Sequence, residues 1–389
     1  MDTRGAAASD RIRALGLDAE QLAGKSILEV GSGDGEVCVA GLELGASRAL
    51  GVELSAQRIQ AARSVAAAAG RHAEFIEADF ESWKDGGETF DIVICSGALR
   101  HMLDPIHALR RMMRLAQERL LVCFSVPTLR EMRRFRISPG YVLTGGAGLI
   151  ALGRSRYTDN IYNLPFALTP AAVRTILNRH CALFEPVAVR RTVDRGRLIV
   201  ANRRRIDHLT VIAGPTSSGK STLYKHLDTM RFELGLPLRD SAYITASDAR
   251  ELPTGRHEHV VLHYDLLRPF LSRLHSYERD IATDLISVAA RVTFVTIVAD
   301  RDRLCRQLVD SEIAGRSKPP SSRHTQLLQQ YAAPAFLSEW YRRWLSFCEG
   351  FSEKLAGHFI VENRGGFVVK GTATNDLFDL FSRPDQVVV

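Results

Sequence analysis

Ser-Ile-Leu-Glu-Val-Gly-Ser-Gly-Asp-Gly, residues 26–35, decides the fold of the first half of the chain. An apolar run of strand length meets glycines at alternate positions, and Glu36 to Leu44 then continues with helical spacing. Glycine permits the left-handed turn and close backbone approach that a sharp strand-to-helix passage needs. The N–H groups at the start of such a helix face outward and bind anionic or polar ligand groups. The same spacing suits a dinucleotide, another nucleotide, or a tight turn with no ligand. The flanking sequence narrows the choice. Ala49-Leu-Gly-Val-Glu53 reads as a second strand ending in a carboxylate. Phe75-Ile-Glu-Ala-Asp79-Phe80 places an acid and an aromatic at the end of a third. Phe90 to Ser96 reads as a fourth, followed by Gly97-Ala-Leu-Arg-His101-Met-Leu-Asp104-Pro105. Strands alternating with helices predict a parallel sheet covered by helices on both faces. Ligands of such sheets bind at the carboxyl ends of the strands.

In that order these elements resemble a class I S-adenosylmethionine-dependent methyltransferase, of the group acting mainly on small molecules, over about residues 20–205. The resemblance implies that Glu29, Gly31, Gly33 and Gly35 form the methionine and ribose loop. It implies further that Glu53 holds the ribose, that Asp79 and Phe80 contact adenine, and that Ser96 faces the methionine end. His101 falls in a turn that lies near the substrate mouth in this family; it reads either as a general base or as a helix-start residue that packs or caps. Arg119 to Val126 is the expected fifth strand, and Pro186–Arg191 with Arg197–Arg203 the expected closing antiparallel hairpin. Residues 127–163 carry Arg130, Arg133, Arg134 and Arg136 ahead of a Gly-rich apolar piece. They are expected to form a lid over the acceptor, with the arginines favouring an anionic one.

A second signature lies at residues 211–222, Val-Ile-Ala-Gly-Pro-Thr-Ser-Ser-Gly-Lys-Ser-Thr. An apolar strand ends at Gly214, and Gly219, Lys220 and Ser221 complete the Gly-x-x-x-x-Gly-Lys-Ser phosphate-loop pattern. Backbone N–H groups over Gly214, Ser217, Ser218 and Gly219, with the helix start at Lys220, Ser221 and Thr222, would cradle phosphates of ATP or GTP. Lys220 would reach the outer phosphates, and the Ser221 hydroxyl would ligate Mg²⁺. His259-Val-Val-Leu-His-Tyr-Asp265 is apolar and ends in an acid, so Asp265 is a second candidate for the metal or its water. After a further strand, Arg303, Arg306 and Arg316 sit where small P-loop kinases, which this layout resembles, carry arginines that neutralise the phosphoryl group in flight. Asn363, ending a late strand, is expected near the nucleotide base. The loop also looks like that of prenyl-transferring tRNA enzymes, and sulfotransferases share the fold; the Lys220–Ser221 pair favours a Mg²⁺–triphosphate over a sulfate donor. The expected architecture is α/β with two doubly wound domains. They are a Rossmann-like methyltransferase domain over residues 1–205 and a P-loop, kinase-like domain over 206–389, with almost no linker.

Composition agrees with two folded domains. The 389 residues exceed one typical core, and 46% hydrophobic with 24% charged residues is ordinary for globular protein. A net charge of +7 favours anionic ligands without implying nucleic acid, and no RNA-binding motif stands out. The six cysteines include no Cys-x-x-Cys pair, which argues against a zinc site or disulfide framework and for a cytoplasmic, reducing setting. Neither a signal-peptide core nor a membrane-spanning stretch is legible. The expected function is methyl transfer to an anionic or hydroxylated small molecule or glycan, joined to phosphoryl transfer. The alternatives are a second domain that only senses nucleotide or mediates assembly, a sulfotransferase-like second domain, and an RNA-modifying enzyme.

Overall fold

The computed structural model describes residues 11–125, 133, 149–151, 166–178, 183–185, 187–191, 196–237, 242–245, 252–267, 280–299, 301–313, 322–332 and 336–372. Most of the expected lid, residues 127–163, and Arg316 lie outside these residues. By contacts the chain divides into two compact units, Met1–Arg203 and Arg204–Val389.

The first unit is built on strands β1 (Ser26–Val30), β2 (Arg48–Glu53), β3 (Glu74–Glu77), β4 (Phe90–Ser96), β5 (Ala116–Ser125), β8 (Ala188–Arg191) and β9 (Gly196–Asn202). Their order across the sheet is β3-β2-β1-β4-β5-β9-β8. The first five run parallel, and β9 and β8 close the edge antiparallel. A short separate pair joins β6 (Leu149–Ala151) to β7 (Phe166–Leu168). The chain leaves β1 toward one edge of the main sheet and β4 toward the other, so the order reverses between them. That reversal opens a crevice at the carboxyl ends of β1 and β4. β1 is almost wholly buried because helices cover both faces, which explains its unbroken apolar reading. Helix α1 (Glu36–Glu43) buries Val37 to Gly41, and α2 (Ala56–Ala68) buries Ile59, Ala62 and Ala66. They share one core with Ile27, Phe75 and Ile94. Burying one such aliphatic side chain contributes about 1.5–3 kcal/mol. α3 (Pro105–Leu115) starts with Asp104 as N-cap, its carboxylate accepting from Ile106 and His107 N–H, and Pro105 fits the first turn. β3 stops two residues short of Asp79, because the Asp79 carboxylate accepts Glu81 N–H and turns the chain.

The second unit holds β10 (Arg205–Gly214), β11 (Ala242–Thr245), β12 (Arg256–Asp265), β13 (Ala289–Val298), β14 (Leu355–Asn363) and β15 (Phe367–Thr372). The order is β11-β12-β10-β13-β14-β15, all parallel except the last pair. The chain leaves β10 toward β11 and β13 toward β14, so the reversal here lies beside the carboxyl end of β10. α4 (Pro170–Asn178) belongs to the first unit; α5 (Lys220–Met230), α6 (Ile281–Val288), α7 (Arg301–Ile313), α8 (Ser322–Ala332) and α9 (Phe336–Glu349) follow in the second. The aromatic stripe of α9 is core: Trp344 is fully buried, stacks on Tyr264 at 5.3 Å and meets Phe294 edge-on.

Candidate active site

The crevice of the first unit is two adjoining chambers. One, of about 460 Å³, is lined by Glu53, Asp79, Phe80 and Glu81 on one wall and Gly97, Ala98, His101 and Met102 on the other. The second, of about 530 Å³, is lined among others by Arg11, Glu29, Ser32, Gly33, Glu36, Cys123 and Phe124. Gly31, Arg58, Ser96 and Gly97 line both. The sequence-derived residues thus converge from four strand ends, with one exception. Gly35 lines neither chamber. A Cβ there would lie 2.5 Å from the Phe75 ring and 2.8 Å from Ala62, so its glycine serves the packing of α1 and α2 against the sheet. Gly31 keeps the crevice open: at φ +72° its added Cβ would fall 2.3 Å from Ala98 Cβ.

Glu53 is fixed at the end of β2. One oxygen accepts Gly33 N–H and the other Ser55 N–H, each at 3.0 Å. The carboxylate therefore has its geometry set by backbone and keeps acceptor capacity for hydroxyls. Glu29 is buried and takes the Cys38 thiol at 3.3 Å. Burial dominates its ionisation and pushes its carboxyl up to about 8, against the smaller opposing effect of Cys38. It is thus a neutral, rigid floor at pH 7. His101, exposed on the facing wall, is held below its usual range by partial desolvation and by the charges of Arg100 and Arg58. A neutral imidazole there can accept a proton. Phe80 lies with its ring beneath the guanidinium of Arg111, 5.0 Å away, so its own packing is inward. Arg58, Glu81 and Arg111 were not legible as site residues. Arg58 carried only a signal of position, one turn into the helix after Glu53.

Residues 27–119 match the family model for a methyltransferase domain. The N-terminal unit carries a methyltransferase domain. Over 47 residues the chain is 49% identical to the ribosomal protein L11 methyltransferase of Serratia proteamaculans and 47% identical to that of Azotobacter vinelandii. Each alignment covers 12% of this chain and 16% of the relative. Among solved structures, the magnesium protoporphyrin IX methyltransferase of Synechocystis PCC 6803 with bound S-adenosylhomocysteine is 21% identical, covering 51% of this chain and 81% of that one, with a TM-score of 0.37. An S-adenosylmethionine-dependent methyltransferase from Mesorhizobium loti is 19% identical, covering 50% and 96%, with a TM-score of 0.34. Beside this methyltransferase domain, no helix among the described residues is long and apolar enough to cross a membrane.

The second unit presents its own cluster at the reversal beside β10. Gly214 and Asp265 are register partners at the ends of β10 and β12. The loop between β10 and α5 is sharply wound: Ser217 has φ +66°, the one positive value on a non-glycine among the described residues, and Gly219 has +93°. Strain of this kind, about 1–3 kcal/mol, concentrates at functional loops. A Cβ on Gly219 would collide with the Asn363 amide at 2.6 Å. Lys220 is buried, and its ammonium donates to Gly214 O at 2.9 Å and Pro215 O at 2.7 Å. Burial lowers its pKa, with Asp265 opposing. Ser218 is fully buried with its hydroxyl unpartnered. Ser221 and Thr222 are exposed on the first turn of α5.

Asp265 accepts the Thr216 hydroxyl at 2.5 Å and Leu267 N–H at 3.0 Å, and Tyr331 on α8 donates to Thr216 O at 3.0 Å. Asn363, expected near a base, is instead a strut of the loop: its amide donates to Ser218 O at 2.9 Å and accepts from Gly365 N–H. Arg303 approaches Gly365, 3.6 Å from where a Cβ would stand, whereas Arg306 is exposed. Among the described residues no group of three His, Cys, Asp or Glu gathers to hold a metal.

Proposed function

We propose that the chain is a bifunctional enzyme. Its first unit transfers a methyl group from S-adenosylmethionine to a hydroxylated or anionic small-molecule or glycan-type acceptor. Its second unit binds Mg²⁺ with ATP or GTP and transfers a phosphoryl group. The observation that carries the first part is the Glu53 carboxylate, held by two backbone N–H groups at the mouth of a glycine-lined crevice. Bound in this groove, S-adenosylmethionine would supply an electrophilic methyl on a sulfonium. Glu53 would accept the ribose hydroxyls, Asp79 the adenine amine, and the Gly31–Gly33 backbone would seat the methionine end. The chain's remaining task is positioning, which alone supplies much of such a rate. His101, neutral near pH 7, would take the acceptor's proton where the acceptor is protonated.

The self-contained loop around Lys220 supports the second part. Lys220, Ser221, the α5 N-terminus and Asp265 are the groups that triphosphate chemistry uses, gathered where the strand order reverses. Arg303 and Arg306 are the candidates for the charge on the transferred group. A nucleotide sensor uses the same loop without them. Acceptor-dependent release of nucleoside diphosphate separates the two. In an enzyme, Asp265→Asn and Arg306→Ala keep nucleotide affinity within about tenfold and lower turnover roughly a hundredfold or more. Slow release that no acceptor stimulates, unchanged in both variants, identifies a sensor. For the first unit, methyl-labelled S-adenosylmethionine is offered against a panel of hydroxylated and anionic acceptors. Label should enter an acceptor with one S-adenosylhomocysteine formed per methyl, and Glu53→Ala should abolish most of it.

A further inference from the structure

The two walls of the smaller chamber are tied to each other by a closed circuit of contacts that begins in its own lining. The circuit starts at Glu81, in the turn after β3. One of its carboxylate oxygens accepts Leu103 N–H and the other Asp104 N–H, both at 2.7 Å. Asp104 is the N-cap of α3, so this contact fixes the start of that helix against the turn. Two turns along α3, Arg111 returns to the same turn. Its guanidinium donates to Phe80 O at 2.5 Å, to Trp83 O, and to Asp85 Oδ2 at 3.0 Å. It also lies over the Phe80 and Trp83 rings, 5.0 and 5.5 Å from their centroids. Arg111 is 6% exposed. A buried cation with three acceptors and two aromatic faces has no room to adopt another geometry. These contacts tie segment 79–85 to residues 103–104 and α3, and residues 79–81 at one end and Met102 at the other line the chamber.

The geometry points to Glu81 and Arg111 as positioning residues that set the width of this chamber for the purine end of the methyl donor. Arg111 does not line the chamber, and Glu81, which does, has each of its oxygens held by a backbone N–H. This role rests on the reading that S-adenosylmethionine occupies the crevice. A preformed gap spares the ligand the ordering of two loops on binding. Loss of either tie should therefore weaken adenosine as strongly as the whole cofactor, because both depend on the same walls.

The test uses the full chain with Glu81→Gln and Arg111→Lys, which keep size and, for the lysine, charge. Gln can accept from only one of the two N–H groups, and Lys cannot fork to three acceptors. Affinities for S-adenosylhomocysteine and for adenosine are measured beside amide hydrogen exchange over residues 79–85 and 97–104 of the ligand-free protein. Both variants should bind both ligands about tenfold more weakly or worse, with faster exchange in both segments and an unchanged far-UV spectrum. If the wild type binds and the variants match it in affinity and exchange, the positioning role is overturned and the cofactor reading stands. If the folded wild type binds neither ligand, the cofactor reading falls and this role falls with it.

Discussion

The hydroxyl of Thr216 donates to the carboxylate of Asp265 across 2.5 Å, joining the loop after β10 to the end of β12. Together with Leu267 N–H it occupies both oxygens of Asp265, while Lys220 is engaged by two carbonyls of its own loop. Without a ligand these two charged groups are held by the loop itself, while the buried Ser218 hydroxyl in the same loop has no partner. Under the proposed reading, a metal-bound triphosphate would compete with Thr216 for Asp265 and with the two carbonyls for Lys220.

Thr216→Val removes the hydroxyl and keeps the shape. The ligand-free second unit should lose roughly 1.5–3 kcal/mol of stability, the usual size of a hydrogen bond to a charged group. Affinity for Mg²⁺–nucleotide should rise severalfold, because Asp265 no longer has to release a partner. Denaturant titration and fluorescent-nucleotide binding read the two effects. A fall in affinity would mean that Thr216 itself contacts the ligand.

Four histidines are built into the second sheet. His208, His259, His263 and His358 are each pushed down to about 4, by burial before any neighbouring charge. Three of them pair with threonines: His208 with Thr293 at 3.0 Å, His259 with Thr210 at 2.8 Å and His358 with Thr296 at 2.8 Å. An unfolded histidine titrates near 6.5. The unfolded chain therefore binds more protons between about pH 6.5 and 4, and stability present above that window is lost as pH falls through it. The urea midpoint of the second unit, followed by Trp344 fluorescence, should drop from pH 7 to pH 5. A flat or rising midpoint would mean these rings are not neutral in the fold.

Glu29 has the opposite sign. Its folded carboxyl is pushed up to about 8, above its unfolded value, so its contribution is complete below about pH 4.5 and is lost as pH rises toward 8. Glu29→Gln cannot ionise. Its melting temperature relative to wild type should climb between pH 5.5 and 8.5; a constant difference would place an ionised Glu29 in the folded chain.

The first sheet was legible because its strands are short apolar runs punctuated by glycines at fixed offsets. β1, β2 and β4 begin and end within a residue of their expected bounds. The closing hairpin and the sharp helix starts at Asp104 and Gly219 follow from the same local signals. Contacts between segments distant in sequence were not legible. Arg111 lies 26–31 residues from its acceptors, and Asn363 lies 145 from Ser218. Nothing local distinguishes Arg111 from its neighbour Arg110, and only the fold decides which of them is buried. The tight packing behind Gly35 is of the same kind: the Phe75 ring that a Cβ there would meet stands on another strand.

The central claim is that Glu53 and the crevice around Gly31 bind S-adenosylmethionine. Calorimetric titration of the full chain with S-adenosylhomocysteine tests it most directly, because no acceptor need be known. One site per chain is predicted, weakened by roughly 1–3 kcal/mol in Glu53→Ala as the ribose loses a charged acceptor. Absence of binding by folded wild-type protein at millimolar ligand would contradict the account.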